Sequence, residues 1–272
     1  MDDHGKIFWH AAFFEALQLE LYHYIDALKF INEYQLSKEA LRMDVLVVKK
    51  EKGVWIDKNI GRIFKEHNII EYKSESDSFS LWDYNRILGY AFLYSSYEQV
   101  PMSDITISVA LTIFPRKLMK FLKNERMLNI QVMGDGIFYI VNEIVPIQIL
   151  ANKQLSPVSN LFLHNLRSNL SAEEMLNTLQ SYRERKPLDD KNVYLDRLIK
   201  ANLVVFKEAL NMSETLKEIF LEGAEEYGWL DGKYVEKKRI EQIAKNLLLL
   251  GISVEKVSEV TELSIEEVTE LL

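Results

Sequence analysis

Residues 67–84, HNIIEYKSESDSFSLWDY, join a short apolar run to a charged end and then to a polar turn. The apolar run predicts a strand over 68–73. Successive side chains of a strand point to opposite faces, so Glu71 and Lys73 share one face and Tyr72 takes the other. A glutamate and a lysine that point the same way at the rim of a sheet form either a solvated ion pair or part of a functional site.

The segments around this strand predict a mixed sheet flanked by helices, which is an α/β or α+β fold. LRMDVLVVK, residues 41–49, is rich in valine and apolar on both faces, the pattern of a central strand. The other predicted elements are a helix over 9–32, a helix capped by Ser80 or Asp83 that runs to about Ser95, a strand over 104–113, a helix opened by Pro115, and a hairpin of 128–133 and 137–151 around Gly134-Asp135-Gly136.

Beyond Ser156 the strand pattern disappears, and the sequence predicts three regions along the chain. Residues 1–155 form a domain that contains the sheet. Residues 156–221 form a helical extension, which is expected to break near Arg185-Lys186-Pro187-Leu188 because proline interrupts a helix. Residues 222–272 form a helical tail.

The composition excludes several classes of protein. The chain has 272 residues, of which 48% are hydrophobic and 27% are charged, as is typical of a globular protein. It has no cysteine, which excludes disulfides and thiolate nucleophiles and fits a reducing, cytoplasmic location. No apolar run approaches the roughly 18 residues that span a bilayer, so no membrane partner is expected. The formal net charge is −8, and residues 222–272 supply 12 acidic against 6 basic residues, so a basic groove upstream of them is compatible with the sequence.

Three acidic residues stand where burial would not normally place a carboxylate. Asp44 lies inside an apolar strand, Glu71 ends the next strand, and Glu20 interrupts the apolar stripe of the first helix. A buried carboxylate without a partner is unfavourable by several kcal/mol, so each needs a hydrogen bond, a cation or a metal. Three oxygen ligands suit magnesium, with manganese as the alternative. Glu15 competes with Glu20 for this role on the same helix.

Asp44 followed by Glu71-x-Lys73, with Glu20 on a preceding helix, resembles the catalytic core of the PD-(D/E)XK nucleases. Longer stretches over residues 9–155 are similar to the members of that superfamily described as recombination-promoting nucleases or putative transposases. These stretches are FFEALQLELYHY, LRMDVLVVKK, IGRIFKEHNIIEYKS, DYNRILGYAFLY and DITISVALTIFPRKLMKFL. Met43 stands where the motif name has proline.

This resemblance implies a magnesium-dependent phosphodiesterase that cuts DNA as an endonuclease. Asp44 and Glu71 would bind the metal, with Glu20 as an additional ligand, and Lys73 would orient the attacking water. Arg86 and Tyr90, four residues apart on the following helix, would add a polar and an aromatic contact. A homodimer would suit double-strand cleavage, although no sequence feature indicates one.

Each of these residues also has a simpler interpretation. Asp44 could bind backbone groups or pair with Arg42, and Arg86 and Tyr90 could form a surface salt bridge and a packing contact. Arg42, Arg116 and Lys120 are candidates for contacts with DNA phosphates, although a solvated helix face is the preferred interpretation of Arg116 and Lys120. No glycine-rich phosphate-binding pattern follows any predicted strand, so no nucleotide cofactor is expected. The alternative function is a non-catalytic protein that keeps the nuclease fold as a binding scaffold.

The end of the tail has the shape of a helix-turn-helix. Ser253 and Ser264 are predicted caps of two short helices, and Glu267 stands at the spacing of a capping box with Ser264. The second of these helices carries Glu266, Glu267 and Glu270 and no basic residue, so phosphate would repel it. A module for docking or self-association is the preferred interpretation.

Overall fold

The strand His67–Lys73 lies inside a mixed sheet and is hydrogen-bonded to a neighbour on each side. The computed structural model describes residues 9–31, 46–185, 192–213, 215, 217, 220, 228–230 and 232–272. The chain divides into two compact units, Met1–Val205 and Phe206–Leu272, and the sheet belongs to the first.

Within the described residues the sheet has seven strands in the order β1-β2-β3-β4-β7-β6-β5. The strands are β1 (Leu28–Ile31), β2 (Leu46–Lys50), β3 (His67–Lys73), β4 (Ile105–Leu111), β5 (Asn129–Gly134), β6 (Ile137–Val141) and β7 (Ile147–Ala151). Strands β3, β4 and β7 are parallel and occupy the centre, whereas every other pairing is antiparallel. The carboxyl ends of the three parallel strands therefore meet at one edge of the sheet.

The helices of the first unit connect or cover these strands. They are α1 (Trp9–Glu20), α2 (Leu81–Glu98), α3 (Arg116–Asn124), α4 (Pro157–His164), α5 (Ala172–Arg185), α6 (Val193–Ala201) and α7 (Leu203–Asn211), the last of which continues into the second unit. Helix α2 connects β3 to β4, which is the crossover that a parallel pair of strands requires. None of the described helices is both long enough and apolar enough to cross a membrane.

The two faces of the sheet are covered by different helices. On one face Val47, Ile69, Ile107 and Ile149 form an apolar core with residues of α2 and α3. The other face meets α1, where the ring of Phe13 stacks on Tyr72 with ring centroids 4.7 Å apart. Because side chains alternate along β3, its odd-numbered residues face α2 and its even-numbered residues face α1. The face shared by Glu71 and Lys73 is therefore the face of α2.

The mixed sheet with flanking helices confirms the predicted fold class at the level of α/β. The predicted strand over 68–73, the helix after Ser80, the strand over 104–113 and the hairpin around Asp135 are all present. The hairpin's second arm is two strands, β6 and β7, which pair antiparallel with each other. Of the strand predicted over 41–49, only the part from Leu46 onward lies in the described residues.

The helix predicted over 9–32 is wrong beyond Glu20. Helix α1 ends there, a 3₁₀ turn spans Tyr22–Ala27, and Leu28 begins β1. Leu28 continues the helical spacing of apolar residues, but it pairs with Lys50 of β2 instead. Strand pairing with a distant part of the chain overrides the local periodicity in this segment.

The second unit ends in three helices, Gly232–Leu249, Val254–Thr261 and Ile265–Thr269. Ser264 caps the last helix, and its hydroxyl and the Glu267 carboxylate form the predicted capping box. Lys237 lies 2.8 Å from the Glu267 carboxylate. The helices pack through a small apolar cluster that includes Ala244, Val257 and Val268. The last helix carries Glu266 and Glu267 and no basic residue, so it gives no support to a DNA-reading role.

Gly136, in the turn between β5 and β6, is expected to tolerate no side chain. Its φ is +71°, and a Cβ atom there would lie 2.7 Å from the Leu155 nitrogen and 2.8 Å from the Ala151 oxygen. An alanine in the left-handed conformation alone costs roughly 1–2 kcal/mol. Gly136→Ala should lower the free energy of unfolding by more than this, because the added Cβ atom would also clash with backbone atoms that cannot easily move. Urea unfolding measures this loss.

Gly134→Ala is the matched control for this substitution, since a Cβ atom at Gly134 would meet nothing within 4 Å. Its stability should stay within about 0.5 kcal/mol of the wild type. Equal losses in the two variants would contradict the proposed backbone clash.

Candidate functional site

Four charged side chains meet where β3 ends and α2 begins. Lys73 Nζ lies 2.9 Å from Glu71 Oε1, and Arg86 Nη2 lies 3.2 Å from the same oxygen. Arg86 Nη2 is also 2.7 Å from Asp83 Oδ1, and Lys73 Nζ is 3.8 Å from that oxygen. We call Glu71, Lys73, Asp83 and Arg86 the β3–α2 cluster. It contains two carboxylates and two cations, so its formal charge is zero.

The start of α2 places two members of the cluster. The Ser80 hydroxyl accepts a hydrogen bond from the Asp83 backbone N–H, and the Asp83 carboxylate accepts one from the Ser80 N–H, which forms a capping box. The first turn of α2 is fixed by these bonds. Arg86 lies three residues after Asp83, so both side chains project from the same side of the helix toward β3.

Burial differs among the four side chains. The Glu71 side chain is 5% exposed, whereas that of Arg86 is 45% exposed. Burial raises the pKa of Asp83, but hydrogen bonds from Ser80 and the charges of Lys73 and Arg86 outweigh it and hold the pKa below its ordinary value. Glu71 is thus an almost fully buried carboxylate beside two cations, and Arg86 reaches it from the solvent side.

One oxygen of Glu71 remains available to a further group. Oε1 is the oxygen that lies next to both cations, whereas Oε2 is buried and has no hydrogen-bond partner among the described residues. A buried carboxylate oxygen without a partner is unfavourable, and a divalent cation is one group that would satisfy it. The donor chemistry at Glu71 therefore fits magnesium or manganese. No group of three metal-ligating side chains occurs within the described residues, but Asp44 and Arg42 lie outside them.

Glu20, the third predicted metal ligand, is committed to other partners. Its Oε1 accepts hydrogen bonds from the backbone N–H groups of Phe162 and Leu163, at 2.8 and 3.2 Å. Its Oε2 lies 2.8 Å from Lys58 Nζ. Helix α1 covers the face of Tyr72, opposite the face of Glu71, and no ion pair or hydrogen bond joins Glu20 to Glu71 or Lys73. Glu20 ties α1 to α4 and to Lys58.

Glu15, the competing carboxylate of α1, has a similar structural role. Its two oxygens accept hydrogen bonds from the Tyr182 hydroxyl, at 2.5 Å, and from the Tyr194 backbone N–H, at 2.7 Å. The helix therefore carries two buried carboxylates that hold later helices of the first unit. Both glutamates stand among apolar residues because they bind groups on distant segments, which the sequence alone does not show.

The remaining predicted residues fall into two groups. Tyr90 lies one turn after Arg86 on α2 and packs, partly buried, against the apolar core. Arg116 and Lys120 are exposed on α3 and lie outside the β3–α2 cluster. Asp83 is the member of the cluster that the sequence analysis considered only as a helix cap. Its three-residue spacing to Arg86 was the available signal for a second role.

Comparisons of the chain with models of protein families, with curated proteins and with solved structures give no match.

Replacement of Glu20 should affect stability and leave the β3–α2 cluster unchanged. Glu20→Gln keeps the shape of the side chain but removes the charge that Lys58 and two backbone N–H groups bind. We expect a loss of about 1–3 kcal/mol in the free energy of unfolding, since hydrogen bonds to charged groups are strong. Calorimetric titration with Mn²⁺ should give the same affinity for the variant and the wild type. A weakened Mn²⁺ affinity with unchanged stability would show instead that Glu20 is a ligand.

Asp83 should contribute stability that depends on pH. Because its folded pKa is lowered from the ordinary value of 3.8, the contribution is complete above that value and is lost as the pH falls through the folded pKa. Asp83→Asn should cost roughly 1 kcal/mol near neutral pH, and the difference from wild type should narrow as the pH falls below the ordinary value of 3.8. Urea unfolding across this pH range tests it, with Asp135→Asn, at the exposed hairpin turn, as the control. A difference that is constant with pH would refute the ion-pair contribution.

Proposed function

We propose that the protein is a metal-dependent DNA endonuclease of the PD-(D/E)XK type, with the β3–α2 cluster as part of its active site. The observation that carries this proposal is the geometry of Glu71 and Lys73. Glu71 is buried, one of its oxygens has no partner in the described part of the chain, and Lys73 follows it on the same face with Nζ 2.9 Å from the other oxygen. An exposed surface pair, the simpler interpretation, does not account for a carboxylate that is 5% exposed.

Glu71, together with Asp44 from the sequence prediction, would hold one magnesium ion, with manganese as the substitute. When bound, this ion would lower the pKa of a water molecule and offset the negative charge of the phosphodiester. Lys73 Nζ would hold the attacking water by a hydrogen bond, because it is the cation that lies deepest beside Glu71. The water would lose a proton to solvent as its oxygen attacks phosphorus, and the P–O bond to the sugar on the opposite side would break, with the leaving sugar oxygen taking up a proton from solvent.

Arg86 and Asp83 would assist this reaction by positioning groups: Arg86 the phosphate, and Asp83 the guanidinium of Arg86. Arg86 is 45% exposed, so its guanidinium is accessible to a phosphate oxygen while one nitrogen holds Glu71. Asp83 binds the same nitrogen and so keeps the guanidinium next to β3. A neutral cluster attracts no phosphate by its own charge, and an added divalent cation would change that balance.

Cleavage of supercoiled plasmid DNA tests the proposal. Nicking should require Mg²⁺ or Mn²⁺, stop with a chelator, and fall at least about a hundredfold in Glu71→Gln, Lys73→Met and Asp44→Asn. Glu66→Gln, a substitution of a partly exposed glutamate just before β3, should cleave as the wild type does. Circular dichroism should show that all the variants are folded.

The result that would overturn the proposal is a folded wild-type protein with no cleavage in either metal over a range of DNA substrates. Tight DNA binding under these conditions would favour the alternative, a nuclease fold retained as a binding scaffold. Cleavage that survives in Glu71→Gln and Lys73→Met would place the active site elsewhere in the chain.

A further inference from the structure

A cavity of about 620 Å³ opens at the carboxyl edge of the parallel strands. Its walls come from the loop before α2, the loop between β4 and α3, the first turn of α3 and the segment after β7. The lining residues used below are Thr112, Ile113, Phe114, Arg116, Lys117 and Lys153. Cavities of this size, at this edge of an α/β sheet, commonly bind small organic ligands.

The polar side of the cavity is positively charged. Arg116 and Lys117 are exposed, and neither forms an ion pair with any described residue. Lys153 is the third cation, and it lies 2.9 Å from the Glu75 carboxylate. The lining residues therefore include three basic groups and no acidic group, and one of the three is paired with a carboxylate outside the lining. Arginine and lysine that lack a carboxylate partner are the side chains that bind phosphate oxygens.

The other side of the cavity is apolar and partly aromatic. Phe79 and Leu118 are buried, and Ile113 is 55% exposed. Phe114 is half-buried, and its ring packs on Phe138 with centroids 4.7 Å apart. A flat ring could lie against Ile113 and Phe114 while a phosphate reached Arg116 and Lys117. This combination of cations and aromatic surface is how proteins hold unpaired nucleotides.

The cavity is linked to the β3–α2 cluster through one backbone contact. The Thr112 N–H donates a hydrogen bond of 3.2 Å to the Lys73 carbonyl oxygen. Thr112 lines the cavity, and Lys73 belongs to the cluster. A ligand in the cavity would therefore lie beside the strand end that carries the proposed active site.

We propose that this cavity binds a nucleotide, with its phosphate on Arg116 and Lys117 and its base against Ile113 and Phe114. The nucleotide is either a free mononucleotide or the unpaired residue of a DNA strand, and it is not a cofactor. The proposal deepens the proposed function, on which its DNA form rests, by naming an unpaired nucleotide as the part of a DNA substrate that this cavity holds. Duplex DNA without an unpaired end would leave the cavity empty.

Calorimetric titration with thymidine monophosphate, inorganic phosphate and a short single-stranded oligothymidylate tests this proposal without relying on cleavage. Thymidine monophosphate should bind roughly tenfold or more tightly than phosphate, because the base adds its own contact. The double variant Arg116→Gln, Lys117→Gln should weaken its binding about tenfold or more. Lys52→Gln, Lys256→Gln, which removes two exposed charges outside the cavity, should bind as the wild type does.

The base contact has its own variant. Ile113→Ala should weaken the binding of thymidine monophosphate and leave the binding of phosphate unchanged, since the side chain is exposed and its removal disturbs little packing. Competition between the oligothymidylate and thymidine monophosphate would identify the unpaired DNA residue as the occupant, and its absence would identify the free nucleotide.

Two results would overturn the proposal. One is the absence of binding by thymidine monophosphate and oligothymidylate. The other is equal affinity for thymidine monophosphate and phosphate with no effect of Ile113→Ala, which would mean that the cavity binds only a simple anion. Plasmid cleavage is measured separately, so loss of nucleotide binding with intact nicking would remove this inference alone. Loss of nicking with intact nucleotide binding would remove only the nuclease assignment.

Discussion

The buried carboxylate of Glu71 constrains how α2, which connects β3 to β4, packs on the sheet. A charge at that depth needs partners, and Lys73 and Arg86 provide them on one oxygen. The Arg86 contact fixes α2 against β3 at one end, and a hydrogen bond of 2.8 Å between Tyr94 and His67 fixes it at the other. Eight helical residues span about 12 Å and four strand residues about 13 Å, so the two contacts fit one antiparallel packing of helix on strand.

The need of a buried carboxylate for partners also distinguishes the glutamates that hold helices together from the glutamate proposed to bind a metal. Both oxygens of Glu15 accept hydrogen bonds, whereas in Glu20 Oε1 accepts two and Oε2 accepts none but lies 2.8 Å from Lys58 Nζ. Each of these glutamates joins α1 to segments distant in sequence. Glu71 has one oxygen engaged, and its other oxygen is buried with neither a hydrogen bond nor an ion pair to any described residue. Satisfied carboxylates stabilise a fold and gain nothing from a metal, whereas a half-satisfied one is improved by it. This difference, and not the degree of burial, distinguishes Glu71 from the carboxylates of α1.

Local rules predicted the elements whose signals lie within a few residues. The alternation of HNIIEYK predicted β3 and its faces, the Ser80 cap predicted α2, and the Gly134–Gly136 turn predicted the hairpin. Contacts between distant segments were not predictable in this way. The pairing of Leu28 with Lys50 ended the first helix early, and the two backbone N–H groups that bind Glu20 lie more than 140 residues along the chain. The sequence did not reveal the second role of Asp83, because the carboxylate that caps α2 is also the partner of Arg86.

The topology explains why the cluster and the cavity are neighbours. Strands β3, β4 and β7 are parallel, so their carboxyl ends meet, and this brings Lys73, the last residue of β3, to the same edge as Thr112 and Lys153, which follow β4 and β7. Side chains at this edge can bind ligands while the buried strands hold them in place. Helix α2 follows β3 and α3 follows β4, so both helices begin at this edge. Both also cover the face of the sheet that holds Glu71. A phosphate held there by α3 would therefore lie on the side of the sheet from which Arg86 and Lys73 reach Glu71.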